Sequence, residues 1–219
     1  MSPIGIFGGT FDPIHYGHLR TALELLQGLD LSEIRFMPCG DPPHRLRPTA
    51  PSDLRLRMVE AAIKGYQEFL VDDRELKRDG PSYSVDTLRS LKSECLDGPL
   101  CLLVGMDSFL SLPEWHQWPK ILELGHIVVA HRPGWRVPEA GKLGELMREW
   151  STGRAEDLHE IGSGRIHVHA VTQLEISSTE LRALIQAGFD PKYLVPDAVR
   201  AIIAETGCYG GDAKTKENG

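Results

Sequence analysis

Leu100-Cys101-Leu102-Leu103-Val104 carries no polar side chain on either parity. A strand with one wet face alternates apolar and polar residues. An unbroken apolar run is buried on both faces, as in a parallel sheet covered by helices. Ile127-Val128-Val129-Ala130, entered from His126, repeats the pattern. Such strands need a helix between each neighbouring pair, and the rest of the chain supplies the alternation. Strands are predicted at 4–7, Glu33–Pro38, Phe69–Val71, 100–104, 126–130 and 165–171. Helices are predicted at about 16–28, from Ser52, from Ser84, on both sides of Pro113, over 142–150, around Leu181–Ile185 and from Pro196. The fold class is α/β, a doubly wound, mostly parallel sheet with helices on both faces.

At 219 residues and 41% hydrophobic, one domain with a sizeable core is expected, spanning 1–209. The polar, glycine-rich stretch 210–219 reads as a disordered tail. The stretch 133–164 is polar and has no readable pattern beyond its one helix. A net charge of −7 argues against nucleic acid as the main partner. His44-Arg45-Leu46-Arg47 is a local basic run, equally readable as a solvated loop. Cys39, Cys95, Cys101 and Cys208 form no C-x-x-C pair, which fits thiols in a reducing cytoplasm. No signal peptide or membrane-spanning run is visible.

In open parallel sheets, ligands bind beyond the carboxyl ends of the strands. The first strand ends there on Gly8-Gly9-Thr10-Phe11-Asp12-Pro13-Ile14-His15-Tyr16-Gly17-His18. Gly8 and Gly9 let backbone approach a ligand closely. His15 and His18, three apart, share a face if both are helical. The P-loop, the G-x-G-x-x-G dinucleotide turn and the G-x-S-x-G elbow are all absent. Two histidines without a glutamate between them are not a zinc-protease pattern. His167 and His169 share a strand face but have no third histidine partner, and read as surface or half-buried residues.

Ile176-Ser177-Ser178-Thr179-Glu180-Leu181-Arg182 places three hydroxyls at a helix start with an arginine one turn on. Alone, it reads as an ordinary N-cap. Paired with the opening turn, it suggests two helix starts gripping one polyphosphate from two sides.

Gly9-Thr10-Phe11-Asp12-Pro13, His15-Tyr16-Gly17-His18 and Ile176-Ser177-Ser178-Thr179 together resemble the HxGH nucleotidyltransferase superfamily. Pro42-Pro43-His44-Arg45, Pro81-Ser82-Tyr83-Ser84, Gly105-Met106-Asp107-Ser108, Leu112-Pro113-Glu114-Trp115-His116 and Arg132-Pro133-Gly134 resemble one branch of it, the bacterial nicotinate mononucleotide adenylyltransferases. The resemblance runs in order from Ile4 to about Tyr209 and implies a Rossmann-like fold. It also implies adenylyl transfer from ATP to nicotinate mononucleotide, releasing pyrophosphate, as a step of NAD synthesis.

The resemblance assigns roles residue by residue. Gly8, Gly9, Thr10 and Phe11 would present amides and a hydroxyl to the phosphates. His15 and His18 would contact ATP phosphates, His18 the α-phosphate. Ile176, Ser177, Thr179 and Arg182 would hold the β- and γ-phosphates, with Arg182 counted as catalytic. Gly105 and Asp107 would meet a ribose or hydrated Mg²⁺, which arrives mainly on the ATP phosphates. For the mononucleotide, Trp115 would stack on the ring. Amides near Tyr83, Ser84 and His116 would take its carboxylate, and His44, Arg45 and Arg132 its phosphate. Arg45 stands where many relatives have lysine, and the two cations bind differently. Phosphopantetheine adenylyltransferase shares the outer motifs, and a non-catalytic nucleotide-binding module could share the fold. Monomer and homo-oligomer are equally open.

Overall fold

A computed structural model describes residues 1–40, 47–94, 97–131, 140–172 and 174–210. The chain runs β1 (Ile4–Gly9), α1 (Tyr16–Gly28), β2 (Glu33–Pro38), α2 (Ser52–Ile63), β3 (Phe69–Val71), α3 (Ser84–Lys92), β4 (Leu100–Gly105) and α4 (Met106–Leu110). After a 3-10 turn at Leu112–Glu114 come α5 (Trp118–Leu124), β5 (His126–His131), α6 (Gly141–Trp150), β6 (Ser151–Thr152), α7 (Asp157–Glu160), β7 (Ile166–Ala170), α8 (Ser178–Gln186) and α9 (Asp197–Thr206).

The strand order is β3-β2-β1-β4-β5-β7-β6, and every pairing is parallel. Side chains alternate between two cores, as a period of two requires. Phe7, Phe36, Leu103 and Val128 point to one face, under α1, α2, α8 and α9. Ile6, Met37, Leu102 and Val129 point to the other, under α3, α4, α5 and α6. Both faces of β4 are therefore covered, which is why its sequence carries no alternation. Gly5 shows how tightly the first core closes: a Cβ there would lie 2.9 Å from Ile34 and 3.0 Å from Leu103.

Strand order reverses direction between β1 and β4, so the crevice of a doubly wound sheet lies at their carboxyl ends. Those ends are Gly8-Gly9 and Gly105, and at Gly8 and Gly105 a Cβ would meet nothing within 4 Å. The topology thus leaves room at the place where the sequence puts its glycines.

Several local readings change. The polar stretch before Arg165 holds β6 and α7. A two-residue strand and a four-residue helix are too short for any periodicity to show. Ser52 is the first residue of α2, not its cap; Pro51 occupies that position without a side-chain bond. The helix expected from Ser84 does begin there, and the neighbour Tyr83 holds the cap position. His167 is buried, with Nδ1 3.3 Å from the Thr152 carbonyl, rather than a surface residue. Gly207, at φ 66°, ends α9 in the left-handed region where glycine carries no Cβ penalty. Cys39, Cys101 and Cys208 are free thiols, and Cys95 lies outside the described residues. Among the described residues, no helix is long and apolar enough to cross a membrane.

Candidate active site

The turn after β1 is built by its own neighbours. Phe11 sits at φ 49° and the Asp12–Pro13 peptide is cis. The Phe11 ring is buried and meets Phe7 edge-on, with centroids 6.0 Å apart. Gly9 is required beneath it, because a Cβ there would lie 2.9 Å from the Phe11 ring. His15 is the N-cap of α1 in extended conformation, so it is not helical. Its ring nevertheless stacks on His18 at 3.7 Å, inclined by 24°. The two histidines meet because an extended His15 folds its ring over the first helical turn, and not because they share a helix face. Gly17 makes that possible: a Cβ there would stand 2.9 Å from His15 Nδ1.

Burial pushes the His15 imidazole down from 6.5 to about 4. The ring is 5% exposed and its Nδ1 has no hydrogen-bond partner. The imidazole is thus neutral at ordinary pH. His18 is half-buried and lies edge-on to Phe11, with centroids 5.1 Å apart.

The N-terminus of α8 docks on this turn. Ser178 Oγ donates to the Pro13 carbonyl at 3.0 Å. Arg182 Nη1 donates to the Asp12 carbonyl at 2.7 Å and lies 3.7 Å from Asp12 Oδ2, while Nη2 meets Thr179 Oγ1 at 3.3 Å. Ser177 Oγ accepts from the Glu180 N–H at 3.3 Å, so it does serve as the N-cap. Ile176 packs against the first core and fixes the approach. The two segments that the sequence offered as halves of one phosphate grip are therefore in direct contact.

Asp12 is the junction. Its carboxylate is 4% exposed and accepts from Thr49 N at 2.7 Å, Ala50 N at 3.0 Å and Tyr209 Oη at 2.7 Å. Thr49 and Ala50 close the loop that leaves β2, and Cys39 N opens it by donating to the Gly9 carbonyl at 2.9 Å. Beneath Thr10 lies Arg55, 1% exposed, with Nη1 donating to the Thr10 carbonyl at 2.7 Å.

The second half of the site is looser. Gly105 caps α4 and Asp107 is exposed in its first turn. The Tyr83 and His116 rings lie 4.3 Å apart at 31°, which joins the start of α3 to the segment before α5. Trp115 is half-buried against the second core, with Nε1 donating to Ser111 Oγ at 3.1 Å. Trp118 packs there too. Gly40 N donates to Ser82 Oγ at 3.1 Å and so ties the β2 loop to α3. Ser84 opens α3 beside Tyr83. His44, Arg45 and Arg132 lie outside the described residues.

Arg55, Asp12 and Tyr209 had no assigned role in the sequence. Arg55 was detectable: with Met58 and Val59 it makes an i, i+3, i+4 set, and all three are buried in α2. Tyr209, beyond the last helix stop, had no such signal.

The cytidylyltransferase-like family model matches residues 6–184. Over 207 residues the chain is 47% identical to an Aeromonas hydrophila protein named "Probable nicotinate-nucleotide adenylyltransferase", covering 94% of this chain and 97% of that one. A Methylococcus capsulatus protein of the same name is 48% identical over 207 residues, covering 94% and 99%. Among solved structures, "Plasmodium falciparum nicotinic acid mononucleotide adenylyltransferase complexed with NaAD" superposes with a TM-score of 0.71 at 18% identity, covering 95% of this chain and 98% of that one. At that identity the likeness is one of fold.

Proposed function

The chain belongs to the cytidylyltransferase-like family, alongside relatives named nicotinate-nucleotide adenylyltransferase, and from that premise we propose how its site carries out the reaction. It is a nucleotidyltransferase of NAD synthesis. A phosphate oxygen of nicotinate mononucleotide attacks the α-phosphorus of ATP. The bond from that phosphorus to the β-phosphate oxygen breaks, giving nicotinate adenine dinucleotide and pyrophosphate.

The nucleophile is already anionic, so no general base is needed. The protein must bring two anions together and stabilise the charge that moves onto the leaving group. The Gly8–Phe11 turn is proposed to supply amides and the Thr10 hydroxyl. His18 faces the α-phosphate and His15 a neighbouring oxygen. Thr179 and Arg182, with Ser177 beside them, meet the β- and γ-phosphates. Tyr83, Ser84, Trp115 and His116 form the acceptor side, with Gly105 and Asp107 between the two. The observation that carries this reading is the docking of α8 on the opening turn, through Ser178 to Pro13 and Arg182 to Asp12.

Mg²⁺ is proposed to arrive on the triphosphate and to neutralise part of its charge. A hard cation of this size keeps most of its waters and takes its other oxygens from phosphate. Asp107 and Thr10 offer oxygens to its waters. A cytoplasmic location is proposed from the free thiols.

Purified protein with Mg²⁺-ATP is offered nicotinate mononucleotide, its amide counterpart or phosphopantetheine in turn, and pyrophosphate is measured. Release with nicotinate mononucleotide is expected. Release with phosphopantetheine alone would refute the acceptor, and release with none would leave only a binding module.

A further inference from the structure

Arg55 is the largest fully buried side chain of the described residues. A guanidinium stays charged, and taking it out of water costs several kcal/mol. Core packing alone does not require that cost, since an apolar side chain would fill the space. Its Nε has no hydrogen-bond partner, and the Asp12 carboxylate acts on it through charge. Its Nη1 donates to the Thr10 carbonyl, at 2.7 Å.

That bond has a consequence on the other side of the same peptide. The carbonyl oxygen of Thr10 and the N–H of Phe11 point in opposite directions across a trans peptide. Drawing the carbonyl towards Arg55 turns the amide to the opposite side of the peptide, away from α2. Among the described residues no carbonyl takes the Phe11 N–H. Phe11 itself lies at φ 49°, where an L side chain is strained and persists only if its surroundings hold it. The Phe7, Phe36 and His18 rings pack against its side chain, and Arg55 holds the peptide before it.

We propose that Arg55 is a positioning residue for adenylyl transfer: it grips the Thr10 carbonyl and so aims the Phe11 amide at a phosphate of bound ATP. The inference rests on the reading of the β1–α1 turn as the ATP cradle. Arg55 touches no substrate. Its effect should therefore appear in ATP binding and kcat, and not in binding of the mononucleotide.

The test compares wild type, Arg55→Met and Arg55→Lys by calorimetry with a non-hydrolysable ATP analogue and, separately, with nicotinate mononucleotide. Melting curves confirm folding at the assay temperature. Loss of a charged hydrogen bond predicts analogue binding ~10-fold or more weaker in Arg55→Met. A displaced amide predicts kcat lower by ~100-fold. Mononucleotide affinity should stay within ~2-fold, and Arg55→Lys, which keeps a donor but not the guanidinium geometry, should bind the analogue more tightly than Arg55→Met and less tightly than wild type. A folded Arg55→Met protein that binds the analogue like wild type overturns the inference, as does one that loses both ligands equally. Should Arg55→Met fail to fold, amide exchange of wild type decides: the analogue should slow exchange at Phe11, and unchanged exchange there overturns the proposal. Wild type that turns over but shows no analogue effect at Phe11 removes only this inference. Wild type that binds no analogue removes the reading of the cradle.

Discussion

Gly17→Ala separates the stability of this protein from its chemistry. Alanine is the better helix former by about 1 kcal/mol, so α1 should gain slightly from the change. The added Cβ, however, would stand 2.9 Å from His15 Nδ1 and 3.0 Å from its Cε1. Ordinary carbon contacts begin near 3.5 Å, so the ring must retreat by about 0.5 Å. It has little space, since His18 is stacked against it at 3.7 Å and the ring is almost wholly buried. The retreat therefore moves both imidazoles. A displacement of about 1 Å can cost ~100-fold in rate, so half of it predicts kcat lower by ~10-fold. The melting temperature should meanwhile stay within about 2 °C of wild type. Pyrophosphate release under saturating ATP and mononucleotide reads the first quantity, and a thermal melt the second. Unchanged kcat in the folded variant would refute the argument that Gly17 sets the histidine geometry.

His18→Ala should lower kcat by at least ~100-fold with the fold retained, as for loss of a transition-state contact; near-normal turnover removes its role. Trp115→Ala should raise KM for the mononucleotide more than KM for ATP, and the reverse order would make Trp115 a core residue only. Tyr209→Phe removes the hydroxyl that donates to Asp12 and should cost about 2 kcal/mol, read as a melting temperature lower by roughly 5 °C; an unchanged melt would mean that water replaces it. Stability should also fall with acid. His15 is held neutral with its pKa at about 4 against 6.5 unfolded, so the unfolded chain binds more protons between those values. Its contribution, on the order of 3 kcal/mol, is complete above pH 6.5 and lost as pH falls towards 4. His126, His167 and His169 are shifted the same way by burial and add to the trend. Urea midpoints from pH 7 to pH 4.5 should drop less steeply for His15→Gln than for wild type, and parallel curves would contradict the assignment.

The sheet was legible because β4 and β5 advertise burial on both faces, and α3 shows Val85, Leu88 and Leu91 at helical spacing, all three buried. The turn after β1 stood out as a candidate site because glycines and histidines are conspicuous there. What the sequence hid was the layer beneath. The spacing of Arg55 with Met58 and Val59 marks it as inward-facing, but nothing local tells that its partner is the Thr10 carbonyl. Asp12 was visible within a motif, but its donors come from residues 49, 50 and 209, and no local pattern connects them. The Ser177–Thr179 hydroxyls illustrate the opposite limit: cap and grip looked like competing readings, and the structure uses Ser177 as a cap while Arg182 and Thr179 face the turn. The acceptor side was only partly open to comparison, since His44, Arg45 and Arg132 lie outside the described residues.

The junction at Asp12 bears on how the chain is made. The ribosome delivers Asp12 early, but the partners that surround it arrive across the whole length of synthesis: Ala50 lies 38 residues on, Arg182 170 and Tyr209 197. Contacts of such separation form slowly and late. A nascent chain therefore carries the turn after β1 with only the Thr49 and Ala50 amides available to Asp12, until residue 209 has been made. The packing around Asp12 is thus complete only when α8 and Tyr209 have docked on it, so a turn made early is finished late.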